Sequence, residues 1–271
     1  MDQSLPCKAI FLVATTLLVL LQIPFIIAVG INYGLNGDNL PAPPAVIDLY
    51  GRCNIPSIRL FEPRPEVLRA LRGKPLQVIL GTRNEDIKSL AATLDAANSW
   101  VADNIVPYRS DAIANMYAAL AEAAITCIKV STVIPGSSLS ISYPPSAGTF
   151  TNEAAAAISR IASILLNHGA SSCSTSLEKI NQPGLTVVVT ESGWPTAGNE
   201  PITSPENAQT YNRNLLNHVE EGRGTPRRPS QPLDVYFFAM FNEDLKQAGI
   251  EQHWGFFYPN MQPVYSFWQC P

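Results

Sequence analysis

An alternation constrains this chain more than any other feature. Short runs of β-formers recur along it, each closed by polar or glycine residues, with helix-spaced stretches between them. The runs are VGINY at 29–33, SIRLF at 57–61, LQVIL at 76–80, IKVST at 128–132, TVVVT at 186–190 and VYFFAM at 235–240. Helical spacing occupies 45–50, 66–71, 87–104, 111–124, 153–167 and 206–221. Strands that take turns with helices build a parallel sheet, because a parallel connection must cross back over the sheet. The runs are largely continuous in their apolar residues, so both faces of that sheet are expected to be buried. With 271 residues, 46% hydrophobic and 15% charged, the chain has ample apolar surface for one large core.

Two parallel-sheet architectures compete. An open doubly wound sheet wants a glycine-rich turn after its first strand, running into a helix. Here the first strand is followed by YGLNGDNLP, which lacks that spacing and meets proline. A (β/α)8 TIM barrel instead carries its chemistry at the C-terminal ends of several strands. Tyr33, Glu62, Glu191 and Glu243 all fall at or just past strand ends, so the α/β barrel is the better reading. Six runs are nevertheless two short of the eight a barrel needs.

The net charge of -4 argues against nucleic acid as a partner, because phosphate recognition needs a basic field. After Lys8 the chain runs AIFLVATTLLVLLQIPFIIA to Ala28 without a charge. A basic residue, an apolar run and a small exit residue form a secretory signal over 1–28, leaving 29–268 as the globular unit and 269–271 as a tail. The run is also long enough to be a retained membrane anchor; Pro24 and the strand-like start at Val29 favour cleavage. Cys53, Cys127, Cys173 and Cys270 remain after residue 28, compatible with one or two disulfides. There is no CxxC pair, and His168, His218 and His253 are far apart, so neither a metal nor a cofactor is expected.

Two segments carry candidate chemistry. In LTVVVTESGWPTAG at 185–198, Glu191 follows four β-formers and precedes Ser-Gly-Trp-Pro. A carboxylate leaving a buried strand is held rigidly, as a nucleophile must be, and Trp194 offers a flat face of the kind that stacks on sugar rings. Strand, carboxylate and aromatic by themselves fit a surface glutamate beside a structural tryptophan at least as well. The second segment, 235–252, places Asn242, Glu243, Lys246 and Glu251 beyond an aromatic-rich strand, where acids and a base can bind hydroxyls and set carboxylate ionisation. A solvated loop with a salt bridge is the plainer alternative for Lys246.

Longer stretches carry a resemblance. VVVTESGWPTAG, INYG at 31–34, IRLFEP at 58–63, IKVST at 128–132, SYPPSAGTF at 142–150, NAQTYNRNLLNHV at 207–219, GTPRRP at 224–229, FFAMFNEDLK at 237–246 and IEQHWGFFYPNMQPVY at 250–265 span most of the chain from Val29 onward. In these the chain resembles glycoside hydrolase family 17, the plant endo-β-1,3-glucanases and their lichenase relatives. The resemblance implies a (β/α)8 barrel with a long cleft and retaining hydrolysis of internal β-1,3-glucosidic bonds. It implies Glu191 as nucleophile, Glu243, Lys246 and Glu251 as charged neighbours in the cleft, and Tyr33, Trp194 and Asn242 toward the sugar. It also implies a secreted, cell-wall monomer whose partner is β-1,3-glucan.

The chain departs from the family pattern twice. The family's Val-Gly-Asn-Glu motif, whose glutamate is the general acid, should fall between Tyr108 and Ala112, where NIVPYRS runs directly into DAIANMYAAL. The triplet Gly198–Glu200 follows the nucleophile strand and is not that motif. After LLNHG at 165–169 a Tyr-Pro-Tyr-Phe strand is expected, and ASSCSTSLEKINQPGL stands there. Two internal deletions, near 109–111 and 169–176, account for the six-strand count. They leave as alternatives a glucan-binding wall protein without turnover or an aberrant gene product. Glu62, past the second strand, is the one other carboxylate placed to replace the missing acid.

Overall fold

In the computed structural model, residues 29–90, 92–104, 139–141, 149–156, 158–159, 188–226 and 228–270 are described. In chain order the elements are β1 (Val29–Tyr33), α1 (Pro43–Arg52), β2 (Ser57–Leu60), α2 (Pro65–Ala70), β3 (Gln77–Leu80), α3 (Asn84–Leu90), α4 (Leu94–Asn104), β4 (Leu139–Ile141), β5 (Thr149–Phe150), β6 (Val188–Ser192), α5 (Pro205–Glu220) and β7 (Asp234–Phe237). Five strands form one parallel sheet in the order β3-β2-β1-β7-β6. The first strand therefore lies between the second and the last, the pairing that closes a barrel. Among the described residues the sheet does not close.

Why these segments pack as they do is readable locally. Every residue of β1 and β2 is buried, as expected of strands covered on both faces. Gly30 is required where β1 meets β7, since a Cβ there would stand 2.3 Å from the Tyr236 ring. Helix α1 starts on Pro43, whose missing N–H costs nothing in a first turn, and buries Val46, Ile47, Leu49 and Tyr50 on one side. The Tyr50 hydroxyl then donates to the Ile31 carbonyl (3.1 Å), tying helix to strand. Helix α5 is capped by Ser204, which accepts from the Asn207 N–H, and buries Ala208, Asn212, Leu216 and Val219.

Beyond β7 the chain crosses the helix layer as a strap. Arg213 of α5 donates to the Phe267 carbonyl (2.8 Å), and Asn212 donates to the Tyr265 hydroxyl (2.7 Å). Phe256, Phe267 and Trp268 of this segment each meet Phe237 of β7 edge to face. A disulfide joins Cys270 to Cys53 just past α1, closing a sequence separation of 217 residues. Cys127 and Cys173 lie outside the described residues.

Several expected boundaries change. The helical stretch at 87–104 is two helices, because the Thr93 hydroxyl accepts from the Ala96 N–H and starts a new one. The strand expected over 235–240 ends at Phe237, where a cis Phe238–Ala239 peptide follows. The strand expected to end at Thr190 continues to Ser192, so Glu191 belongs to it. Antiparallel β4 and β5 form a small hairpin that the sequence reading does not contain. The segment 1–28, the helix at 111–124, the strand at 128–132, the latter part of 153–167 and both expected deletions lie outside the described residues. Among the described residues, no helix is long and apolar enough to cross a membrane.

Candidate active site

Three strands converge on one polar cluster. Arg59 of β2 is 6% exposed, and such a charge is tolerable inside a barrel only when paired and hydrogen-bonded. Its Nη1 donates at 2.7 Å to Glu191 Oε1 and at 2.7 Å to Asn32 Oδ1. Asn32 of β1, fully buried, donates through Nδ2 to the carbonyls of Thr190 (3.0 Å), Phe237 (2.9 Å) and Tyr236 (3.4 Å). The Glu191 side chain is 46% exposed. One carboxylate oxygen is thus anchored, while the side chain as a whole stays open to solvent.

A second pair lies past β7. Glu243 is 2% exposed; Lys246 Nζ stands 2.9 Å from its Oε2, and the Asn36 N–H donates to its Oε1 (2.8 Å). Gly34 makes room for this carboxylate, because a Cβ there would meet its oxygens at 2.3 to 2.4 Å. The Lys246 ammonium also sits 4.0 Å from the Phe238 ring centre, a cation–π distance. Asn242 Oδ1 accepts from the Gly255 N–H (2.8 Å), which braces the loop. Glu251 lies exposed on the 3-10 turn Ile250–Gln252, outside the Glu243–Lys246 pair.

Aromatic rings connect the two clusters. The Arg59 guanidinium lies 4.5 Å from the Phe61 ring centre. Phe61 meets Phe238 edge to face at 6.3 Å, and Phe238 meets Trp254 at 5.8 Å. Phe61 is 36% exposed, so this wall offers apolar surface beside Glu191. Sequence reasoning missed Asn32, Arg59, Phe61, Phe238 and Trp254. The signal available was polar residues inside otherwise apolar strands, Asn32 in VGINY and Arg59 in SIRLF.

The remaining expected residues fall elsewhere. Tyr33 is buried: it is 1% exposed, with Phe241 edge-on at 6.2 Å. The cause is strand alternation, which turns Asn32 toward Arg59 and so sends Tyr33 the other way. Burial, with a smaller contribution from the charge of Glu66, pushes its hydroxyl up to about 12. Trp194 is partly exposed, packed on Tyr211 at 5.5 Å, and its Nε1 donates to the Ile202 carbonyl. Glu62 is held by Arg64 at 2.5 Å and by Arg83 at 3.6 Å. Glu200 is exposed, and the hydrogen bond from the Gly198 N–H holds its carboxyl below the ordinary range. Among the described residues, no group of three or more His, Cys, Asp or Glu could hold a metal ion.

The profile of Glycosyl hydrolases family 17 matches residues 29–113 and 171–268. The chain belongs to this family. It is 33% identical to a probable glucan endo-1,3-beta-glucosidase of Arabidopsis thaliana, over 88% of this chain and 90% of that one. Against Lichenase-2 of Hordeum vulgare the identity is 33%, over 89% of this chain and 98% of the relative. A solved beta-1,3-glucanase and allergen of Cryptomeria japonica pollen superposes with a TM-score of 0.77 at 32% identity, over 88% of this chain and 98% of that one. As a family 17 member the chain is a glycosidase of the α/β barrel class. The Arabidopsis alignment runs over 311 positions, more than the 271 residues available here, so that relative carries residues with no counterpart in this chain.

Proposed function

We propose that this chain hydrolyses internal β-1,3-glucosidic bonds of β-glucans with retention of configuration, using Glu191 as nucleophile. The observation that carries the proposal is the Arg59–Glu191 contact at the C-terminal end of the parallel sheet. Oε1 is anchored by the guanidinium, which leaves Oε2 to attack the anomeric carbon. A glycosyl ester on Glu191 forms as the leaving oxygen departs with the bond pair and takes a proton from solvent, and water then cleaves the ester, returning a proton. The wall of Phe61, Phe238 and Trp254 supplies the apolar face for a glucosyl ring, with Trp194 further along the rim. Glu243, Lys246 and Glu251 set the charge around the cleft, and Asn242 braces the loop that carries them. The names of the relatives support β-1,3-glucan as the partner.

The cell-wall exterior is the compartment this reading calls for. A cleaved signal over 1–28 delivers the protein there as a monomer, and the Cys53–Cys270 disulfide fits an oxidising environment. Release of reducing sugar from a linear β-1,3-glucan, abolished by Glu191→Gln, is the expected result. No release by cooperatively folded protein overturns the hydrolase reading.

One observation favours a second reading, in which the protein binds glucan without turning it over. Retaining hydrolysis needs a second carboxyl about 5–5.5 Å from the nucleophile to protonate the leaving oxygen, and such help is worth about 10²–10⁴ in rate. Glu62, Glu200 and Glu243 are each engaged as acceptors of ion pairs or hydrogen bonds. A deletion near 109–111 would remove the family's own acid. Retention on insoluble β-1,3-glucan without released sugar decides for this reading.

A further inference from the structure

We propose that Asn32 is the positioning residue of the nucleophile, holding Glu191 in place by two separate routes. This rests on the reading of Glu191 given above. The first route runs through the side-chain oxygen, which accepts from Arg59 Nη1 at 2.7 Å while the same nitrogen donates to Glu191. The second runs through the amide nitrogen, which donates to the carbonyl of Thr190, directly before Glu191, at 3.0 Å and to that of Phe237, the last residue of β7, at 2.9 Å. One side chain from β1 therefore fixes a guanidinium on β2 and the backbone of β6 and β7 at the level of the reactive carboxylate.

The local sheet explains why an amide is needed. The β6–β7 register shifts between Val189 and Ser192, so the regular ladder is interrupted where Glu191 stands. Carbonyls in such a stretch need another donor, and buried polar groups are costly when left unpaired. An asparagine offers one acceptor and two N–H donors from a single short side chain, and Asn32 uses both ends. Aspartate would keep the acceptor but set a second carboxylate against Glu191 in competition for Arg59, with an oxygen facing two carbonyls. Leucine would fill similar space and leave Arg59 and both carbonyls short of a partner.

The test reads the nucleophile without asking for a general acid. The full chain is incubated with 2,4-dinitrophenyl 2-deoxy-2-fluoro-β-laminaribioside. Its leaving group departs as a stable phenolate carrying the bond pair, while Glu191 Oε2 forms the new bond to the anomeric carbon; the fluorine slows hydrolysis of the ester. Mass spectrometry locates the label, and phenolate release gives kinact and KI. The native chain labels on Glu191, whereas Asn32→Leu and Asn32→Asp lose about 10- to 100-fold in kinact at unchanged KI, because a small misplacement of a reacting group costs that much. Asn212→Leu is the matched control: this buried amide binds the Tyr265 hydroxyl away from the cluster, so the change lowers melting temperature and leaves kinact alone. Should Asn32→Leu or Asn32→Asp lack a cooperative melt, Asn32→Ser, which adds neither bulk nor charge, is judged on the same two constants. Native kinact in folded Asn32 variants, or a loss no larger than that of Asn212→Leu, overturns the positioning role. A native chain that takes no label on Glu191 overturns the nucleophile reading first, and this role with it.

Discussion

Arg59 on β2 reaches Glu191 on β6 past the two strands that lie between them in the sheet, Nη1 to Oε1 at 2.7 Å, with the arginine side chain 8% exposed and the glutamate 46%. The pair is asymmetric, so its two halves respond differently to mutation. Removing the exposed carboxylate leaves a buried guanidinium still bonded to Asn32. Removing the guanidinium leaves the Asn32 oxygen buried without its donor. Arg59→Ala is therefore expected to cost more stability than Glu191→Gln, about 1–3 kcal/mol for the orphaned acceptor alone. Urea unfolding of both variants measures the order.

The Glu243–Lys246 pair makes a sharper case, because the carboxylate is 2% exposed. Lys246→Met keeps the side-chain length over the Phe238 ring and removes the charge. Leaving one partner of a buried pair alone costs about 3–5 kcal/mol. A fall of that size in unfolding free energy is expected, with Glu243→Gln on the Lys246→Met background recovering part of it.

Gly34→Ala tests the packing around the same carboxylate. The added Cβ would stand 2.3 Å from Glu243 Oε1, so the side chain must leave its place or the loop must shift. Overpacking of this kind costs about 1–3 kcal/mol. The melting temperature is expected to fall, whereas Gly51→Ala in helix α1, where a Cβ meets nothing within 4 Å and alanine is the better helix former, is expected to hold or raise it.

Stability should collapse on the alkaline side. Burial raises the hydroxyls of Tyr33, Tyr50, Tyr236 and Tyr265 above their ordinary value of 10.0, Tyr33 to about 12. Folded protein therefore holds these protons when the unfolded chain has released them, so stability falls as pH rises above about 10. For Tyr33 the loss accumulates between 10 and about 12. Phenolate absorbance is expected to grow together with loss of the folded circular dichroism signal in that window.

The disulfide carries a prediction of its own. Cross-linking across 217 residues restricts the unfolded chain strongly, and removing a native disulfide costs about 2–5 kcal/mol. Cys53→Ser and Cys270→Ser should lower the melting temperature equally, and reductant should do the same to the native chain only.

How much of this was legible in the sequence depends on the kind of interaction. The positions of β1, β2, β3, β6 and β7 followed from apolar runs, and the Glu191 segment from a carboxylate leaving β-formers. The failures share a cause: they depend on which way a side chain points in three dimensions. Tyr33 and Asn32 are neighbours, and only the facing of β1 decides that the amide enters the polar cluster and the phenol the core. Phe61 and Phe238 lie 177 positions apart, and nothing local announces that their rings meet. The break at Thr93 was visible as a hydroxyl three residues before an N–H, but helical periodicity on both sides obscured it.

The most direct test of the account is proton NMR of a linear β-1,3-glucan digested by the full chain, following the anomeric signals from the first minutes. Retaining attack by Glu191 predicts that the β-anomer of the new reducing end appears first, with the α-anomer growing in later by mutarotation, and that Glu191→Gln abolishes both. First appearance of the α-anomer, or product that survives Glu191→Gln, would contradict it.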